Sequence, residues 1–270
     1  MRFERLSMKP ISESIFPDRP ENWRTWPVNI QAPEAQEPLV DVKDYGLRTS
    51  PFYCRAQAPY YRAFSSPRAV YVREGVAKTL GKINAVLKGE GLGLLAWDGW
   101  RSFETQAELR TWFEDRAKEH LGKNASQQQI MAEADQYCSA VDFALLPNAF
   151  EGVPVHSTGG SIDVTLINLD DDQQLFMGSI FDDPSKITHT RYFEQQQEIR
   201  RLTASETEAL YNRRILCHVM TEHGFQNDTW AAEWFHYCLG TQRWACHPGR
   251  VAYYNRTHLP NWPSASASSS

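Results

Sequence analysis

Val72, Val76, Leu80, Ile83 and Leu87 recur at helical spacing, and the run stops at Gly89 and Gly91. Apolar positions so spaced share one face of a helix, and glycine past the last turn is a common stop, so the pattern predicts a helix ending before Gly89. Leu92 to Asp98 is a short apolar run that reads as a buried strand. Ser102 can cap a following helix that carries Phe103, Ala107, Trp112 and Phe113. A further helix is expected over residues 126–141. Ile162, Val164 and Leu166 alternate with Asp163 and Thr165, the period of a strand with one apolar and one polar face. Ser205 with Glu208 reads as a capping box before Leu210, Leu216, Val219 and Met220, and Gly224 closes that helix. Helix, strand, helix, helix, strand, helix, strand is the order of an α+β domain and not of strict βαβ alternation.

Outside this region the pattern fades. Residues 1–40 carry Pro10, Pro17, Pro20, Pro27, Pro33 and Pro38 without a sustained period, which predicts an extended arm wrapping the body. Residues 41–262 then form one domain, and the Ser/Ala tail within 263–270 is expected to be disordered. A chain of 270 residues that is 41% hydrophobic and 23% charged has enough apolar material for a core. The net charge of −5, with Lys and Arg scattered, argues against a nucleic-acid partner. The longest apolar run is too short to span a bilayer, and the amino terminus lacks an apolar signal core. Five cysteines without a CxxC pair point to reduced thiols in a cytoplasm, not to a disulfide framework or a cysteine zinc cluster.

Three segments hold candidate chemistry. In His156-Ser-Thr-Gly-Gly-Ser-Ile-Asp163, a glycine turn leading into a strand can bring a His and an Asp together across seven residues. In Glu233-Trp-Phe-His236, two side chains three apart share a pocket only through a helical turn or a local twist. Trp97-Asp98-Gly99-Trp100-Arg101 presents an Arg where a strand gives way to a helix. Two imidazoles and one carboxylate are ligands that zinc accepts, and three protein ligands leave the fourth position to water, as in a catalytic site. Zinc lowers the pKa of its bound water to roughly 7, so a carboxylate that is not a ligand, Glu233, can take the proton and pass it to a leaving amine. Arg101 can face the oxyanion. Singly, each segment has a plainer reading: Asp163 at a solvated edge, Arg101 paired only with Asp98. His120, His189, His218, His223, His247 and His258 are read as surface or hydrogen-bonded residues, His223 as a favourable charge at a helix end.

The conjunction resembles the zinc D-alanyl-D-alanine dipeptidases of the VanX type, within the group that includes D,D-carboxypeptidases and the hedgehog signalling domain. The likeness runs from about Val70 to Leu239. It is strongest in Gly91-Leu-Gly-Leu-Leu-Ala-Trp-Asp-Gly-Trp-Arg101, His156-Ser-Thr-Gly-Gly-Ser-Ile-Asp-Val-Thr-Leu166, Met177-Gly-Ser-Ile-Phe-Asp182, Asn212-Arg-Arg214 and Glu233-Trp-Phe-His-Tyr237. The resemblance implies one zinc per chain held by His156, Asp163 and His236, with Glu233 as general base and Arg101 stabilising the oxyanion. It further implies that Asp182 receives the substrate's ammonium group and that Tyr45, in Asp41-Val-Lys-Asp-Tyr45, helps to wall the pocket. The family fold is mixed α+β, a small, mostly antiparallel sheet packed with helices. Pro154 and Val155 stand where the family usually has Ser ahead of the first zinc His, so a hydroxyl for the substrate's C-terminal carboxylate is missing.

The expected activity is hydrolysis of D-Ala-D-Ala or a related dipeptide, with a small dipeptide as partner and neither nucleic acid nor membrane. The alternatives are a carboxypeptidase or endopeptidase acting on longer cell-wall peptides, and a hedgehog-like protein that keeps zinc without catalysis. Glu233 and Arg101 argue against the last, because a pure binding site needs neither.

Overall fold

A computed structural model describes residues 2–13, 23–144, 152–227, 232–247 and 249–263. The helices are α1 (Arg2–Met8), α2 (Glu74–Lys88), α3 (Phe103–Leu121), α4 (Gln127–Ala134), α5 (Tyr192–Ile199) and α6 (Ala204–Glu222). The strands are β1 (Leu39–Asp41), β2 (Arg48–Thr49), β3 (Tyr71–Arg73), β4 (Leu92–Asp98), β5 (Ser161–Asn168), β6 (Gln226–Asn227) and β7 (His236–Cys238). The architecture is the expected α+β.

Several boundaries differ from the sequence pattern, each for a local reason. Val72 has helical spacing to Val76, yet it pairs with Val40 in the small β1–β3 sheet, so α2 starts only at Glu74. Helix α4 ends at Ala134, short of residue 141, where Arg110 bonds the carbonyls of Met131 and Cys138 at 3.0 and 2.7 Å. The capping box of α6 is Thr203 with Glu206, not Ser205 with Glu208. Both pairs have the right spacing, but Arg200 bonds both carboxylate oxygens of Glu206, at 2.8 and 2.6 Å, and fixes the earlier register. Thr203→Ala is therefore expected to cost about 1 kcal/mol in urea unfolding, the usual worth of an N-cap, and Ser205→Ala only a few tenths. An effect of Ser205→Ala as large as that of Thr203→Ala would contradict the assignment.

The five-stranded sheet runs β2-β4-β5-β7-β6, with β2 parallel to β4 and every other pair antiparallel. Ile162, Val164 and Leu166 of β5 join Leu80, Ile83 and Leu87 of α2 and Leu216, Val219 and Met220 of α6 in one core. The alternate face of β5, with Asp163 and Thr165, is also buried.

Nor is the amino-terminal segment extended throughout, since α1 packs on α6. Further on, Ile11 N–H donates to Glu194 at 2.9 Å, His218 Nε2 bonds the Lys9 carbonyl at 2.9 Å, and Gln242 Nε2 donates to the carbonyls of Arg24 and Trp26. Pro17, Pro20 and the tail from Ser264 lie outside the described residues.

Candidate active site

Strand register builds the centre. Side chains on directly paired residues share a sheet face, and Asp163 pairs with Asp98 on one side and His236 on the other. Plain alternation from Ala96 would send Asp98 into the core, but the register shifts between Ala96 and Asp98 and turns it toward Asp163. His156 enters from the turn Val155–Thr158. Gly159 leaves that turn at φ +73°, and a Cβ on Gly160 would lie 2.7 Å from the Leu239 carbonyl, so both positions need glycine. The turn between Glu233 and His236 closes through a 3.3 Å bond from His236 N–H to the Glu233 carbonyl. Asn227 Nδ2 donates to the Glu233 carbonyl at 3.1 Å and to the His236 carbonyl at 2.9 Å.

The result is three buried donors around one point. His156 Nε2 lies 3.2 Å from His236 Nδ1 and 3.6 Å from Asp163 Oδ2, and His236 Nδ1 lies 3.1 Å from Asp163 Oδ1. Ligands about 2.0–2.1 Å from a tetrahedral zinc ion stand about 3.3 Å apart, so the set has the size and chemistry of half-closed zinc coordination. His156 Nδ1 lies 2.7 Å from the Gly99 carbonyl, which can only accept. Nδ1 therefore carries the hydrogen, and Nε2 turns its lone pair to the donor set. Burial, Arg101 and His236 push the His156 pKa well down, keeping the ring in the neutral form that binds metals. Burial, Asp98, Glu233 and Asp182 together push Asp163 well up, a crowding of carboxylates that a bound cation would relieve. The donor set thus fits zinc.

A cleft of about 580 Å³ opens over these residues, with Arg101, Asp182 and Glu233 in its walls. Arg101 bonds Asp98 through Nε (3.1 Å) and Nη2 (2.7 Å), Gln106 through Nη1 (3.0 Å), and the Tyr53 hydroxyl through Nη2 (3.1 Å). Four of its five N–H groups are engaged, and one on Nη1 remains for a ligand. Asp182 follows the buried Phe181 with φ +55°, a left-handed turn that asparagine and aspartate tolerate best. Its Oδ2 accepts from Tyr53 (2.6 Å) and Tyr60 (2.8 Å), which leaves Oδ1 for the cleft. Burial raises the Asp182 pKa, opposed by the Tyr53 bond, Arg101 and Tyr60. Glu233 is about one-third exposed, its carboxylate 4.0 Å from His236 Nδ1 and outside the three-donor set.

Residues 53–262 match the M15 peptidase family described as D-Ala-D-Ala dipeptidase. The chain belongs to that family. It is 26% identical over 244 residues to the D-alanyl-D-alanine dipeptidase of Synechocystis sp., covering 84% of this chain and 94% of that one. It is also 26% identical over 166 residues to the D-alanyl-D-alanine dipeptidase of Enterococcus faecium, covering 61% and 70%. Among solved structures, the vancomycin resistance D,D-pentapeptidase VanY with zinc aligns over 72% of this chain and 86% of its own, at 14% identity and a TM-score of 0.37. VanYB in complex with D-alanine-D-alanine aligns over 67% and 79%, at 15% identity and a TM-score of 0.30.

In this dipeptidase-family chain the structure gathers six of the seven residues picked out in the sequence: His156, Asp163, His236, Glu233, Arg101 and Asp182. Tyr45 is the exception. It sits after β1 in the turn Val42–Tyr45, packs beside α2, and bonds Glu74 at 3.3 Å, away from the cleft lining. Tyr53 and Tyr60 supply the aromatic wall instead, from a loop whose cluster of Phe52, Tyr53, Tyr60 and Phe64 has no period to flag it. His189, read as a surface or hydrogen-bonded residue, is exposed and also lines the cleft. His120 and His223 have plain partners, Glu133 and the Val219 carbonyl, each at 2.7 Å. All five cysteines are free thiols.

Proposed function

We propose that this protein is a zinc-dependent dipeptidase that hydrolyses D-Ala-D-Ala or a close relative, with one zinc per chain held by His156, Asp163 and His236. The carrying observation is the donor triangle, with edges of 3.1–3.6 Å, beside a carboxylate that is not part of it. Zinc, when bound, supplies a Lewis acid that makes water nucleophilic near neutral pH. Glu233, in the cleft lining 4.0 Å from His236 Nδ1, takes the proton from the attacking water and returns it to the leaving amine. Arg101 turns its remaining N–H to the charge that develops on the carbonyl oxygen, and its bonds to Asp98, Gln106 and Tyr53 pre-organise it for this. Asp182 Oδ1 accepts from the substrate's free ammonium while the two phenols hold Oδ2. Among the described residues no helix is long and apolar enough to cross a membrane, and the five free thiols fit the cytoplasm where we place the protein.

The substrate's own charge tests this reading. A charge-assisted hydrogen bond in a water-poor cleft contributes roughly 1.5–3 kcal/mol, and a blocked amine would leave Asp182 unpaired. N-acetyl-D-Ala-D-Ala is therefore expected to show a kcat/KM at least about tenfold below that of D-Ala-D-Ala. Asp182→Asn should shrink the gap. Equal efficiency on both substrates would favour a carboxypeptidase acting on longer cell-wall peptides and reduce Asp182 to a structural carboxylate.

A further inference from the structure

Charge is divided between the walls of the cleft. Asp182 and the exposed Lys186 lie on the loop between β5 and α5, whereas two guanidiniums of the lining come from other segments, Arg24 from the amino-terminal segment and Arg243 from the segment after β7. Both stack on Trp23, their Cζ atoms 5.0 and 5.4 Å from its ring centroid. The indole is only 2% exposed and packs with Val155, Cys238 and Cys246, so it is a fixed platform for the pair. Arg24 is held again by a 2.9 Å bond from Nη2 to Ser139 Oγ. Gln242, next to Arg243 in the chain, donates to the Arg24 carbonyl at 3.0 Å and ties the two segments together.

We propose that Arg24 and Arg243 form the subsite that takes the C-terminal carboxylate of the substrate. This inference rests on the dipeptidase reading, because a free dipeptide is a zwitterion with an ammonium at one end and a carboxylate at the other. Asp182 meets the ammonium. Arg101 cannot also meet the carboxylate, since its single remaining N–H faces the reacting carbonyl. A pair of guanidiniums that lines the same cleft on Trp23, from segments other than the one that carries Asp182, matches the second charge in sign. Their planar donor forks suit a carboxylate better than the point charge of Lys186 would. The subsite would make the cleft selective for peptides that end in a free acid.

The test compares D-Ala-D-Ala with D-Ala-D-Ala amide on the zinc-loaded full-length protein. The wild type should prefer the acid by at least about tenfold in kcat/KM, chiefly through KM. Arg243→Gln and Arg24→Gln should each shrink that preference, and the double variant should bring it to about twofold or less, with zinc content retained. Arg243→Lys, which keeps the charge, should hold an intermediate preference. A folded, zinc-bearing double variant that still prefers the acid as strongly as the wild type overturns the subsite but not the dipeptidase reading. If the Gln variants fail to fold, an Arg243→Lys protein with undiminished preference does the same. A wild type that cleaves neither compound overturns both.

Discussion

Glu233→Gln is expected to lower kcat for D-Ala-D-Ala by at least about a hundredfold, the usual worth of positioned acid–base catalysis, while zinc content stays near one per chain. The amide keeps the size and hydrogen-bonding reach of the carboxylate but cannot accept a proton. Position is why metal and rate should separate. Glu233 lies outside the donor triangle, 4.0 Å from His236 Nδ1, on a turn fixed by Asn227. Loss of zinc from Glu233→Gln with appreciable residual turnover would make Glu233 a ligand and not a base.

His236→Ala should have the opposite signature. Removing Nδ1 takes away two of the triangle's three edges, and two remaining donors do not hold a zinc ion against water. Zinc measured by atomic emission after gel filtration should fall from about one per chain to below about a tenth, and activity should fall with it. The far-ultraviolet circular dichroism spectrum should stay close to wild type, because β7 is paired through its backbone to β5 and β6. Stoichiometric zinc in this variant would contradict the ligand assignment.

The site was more legible in the sequence than the scaffold that aims it. His156, Asp163, Glu233 and His236 could be picked out because their residue types are few and their chemistry is narrow. The two-residue period of β5 already put Asp163 opposite Ile162 and Val164. What period alone cannot show is register. The shift between Ala96 and Asp98 brings Asp98 level with Asp163, although simple alternation assigns Asp98 to the core. The capping box of α6 was ambiguous for a related reason: Thr203/Glu206 and Ser205/Glu208 satisfy the same spacing, and Arg200, from the turn after α5, decides between them.

The cleft walls were the least legible part. Tyr53 and Tyr60 reach Asp182 across more than a hundred residues of chain, and Trp23 and Arg24 arrive from a segment that reads only as proline-rich. Such contacts depend on tertiary folding and leave no local spacing behind. Tyr45 shows the converse, since a matching local segment did not bring its ring to the cleft; the phenol bonds Glu74 at the start of α2 instead.

The most direct measurement is the fate of the dipeptide itself. Zinc-loaded protein incubated with D-Ala-D-Ala and followed by proton NMR should release two equivalents of free D-alanine per dipeptide. A chelator should stop the reaction, and one equivalent of zinc should restore it. Intact dipeptide after prolonged incubation with a folded protein carrying stoichiometric zinc would contradict the assignment of this site as a dipeptidase centre.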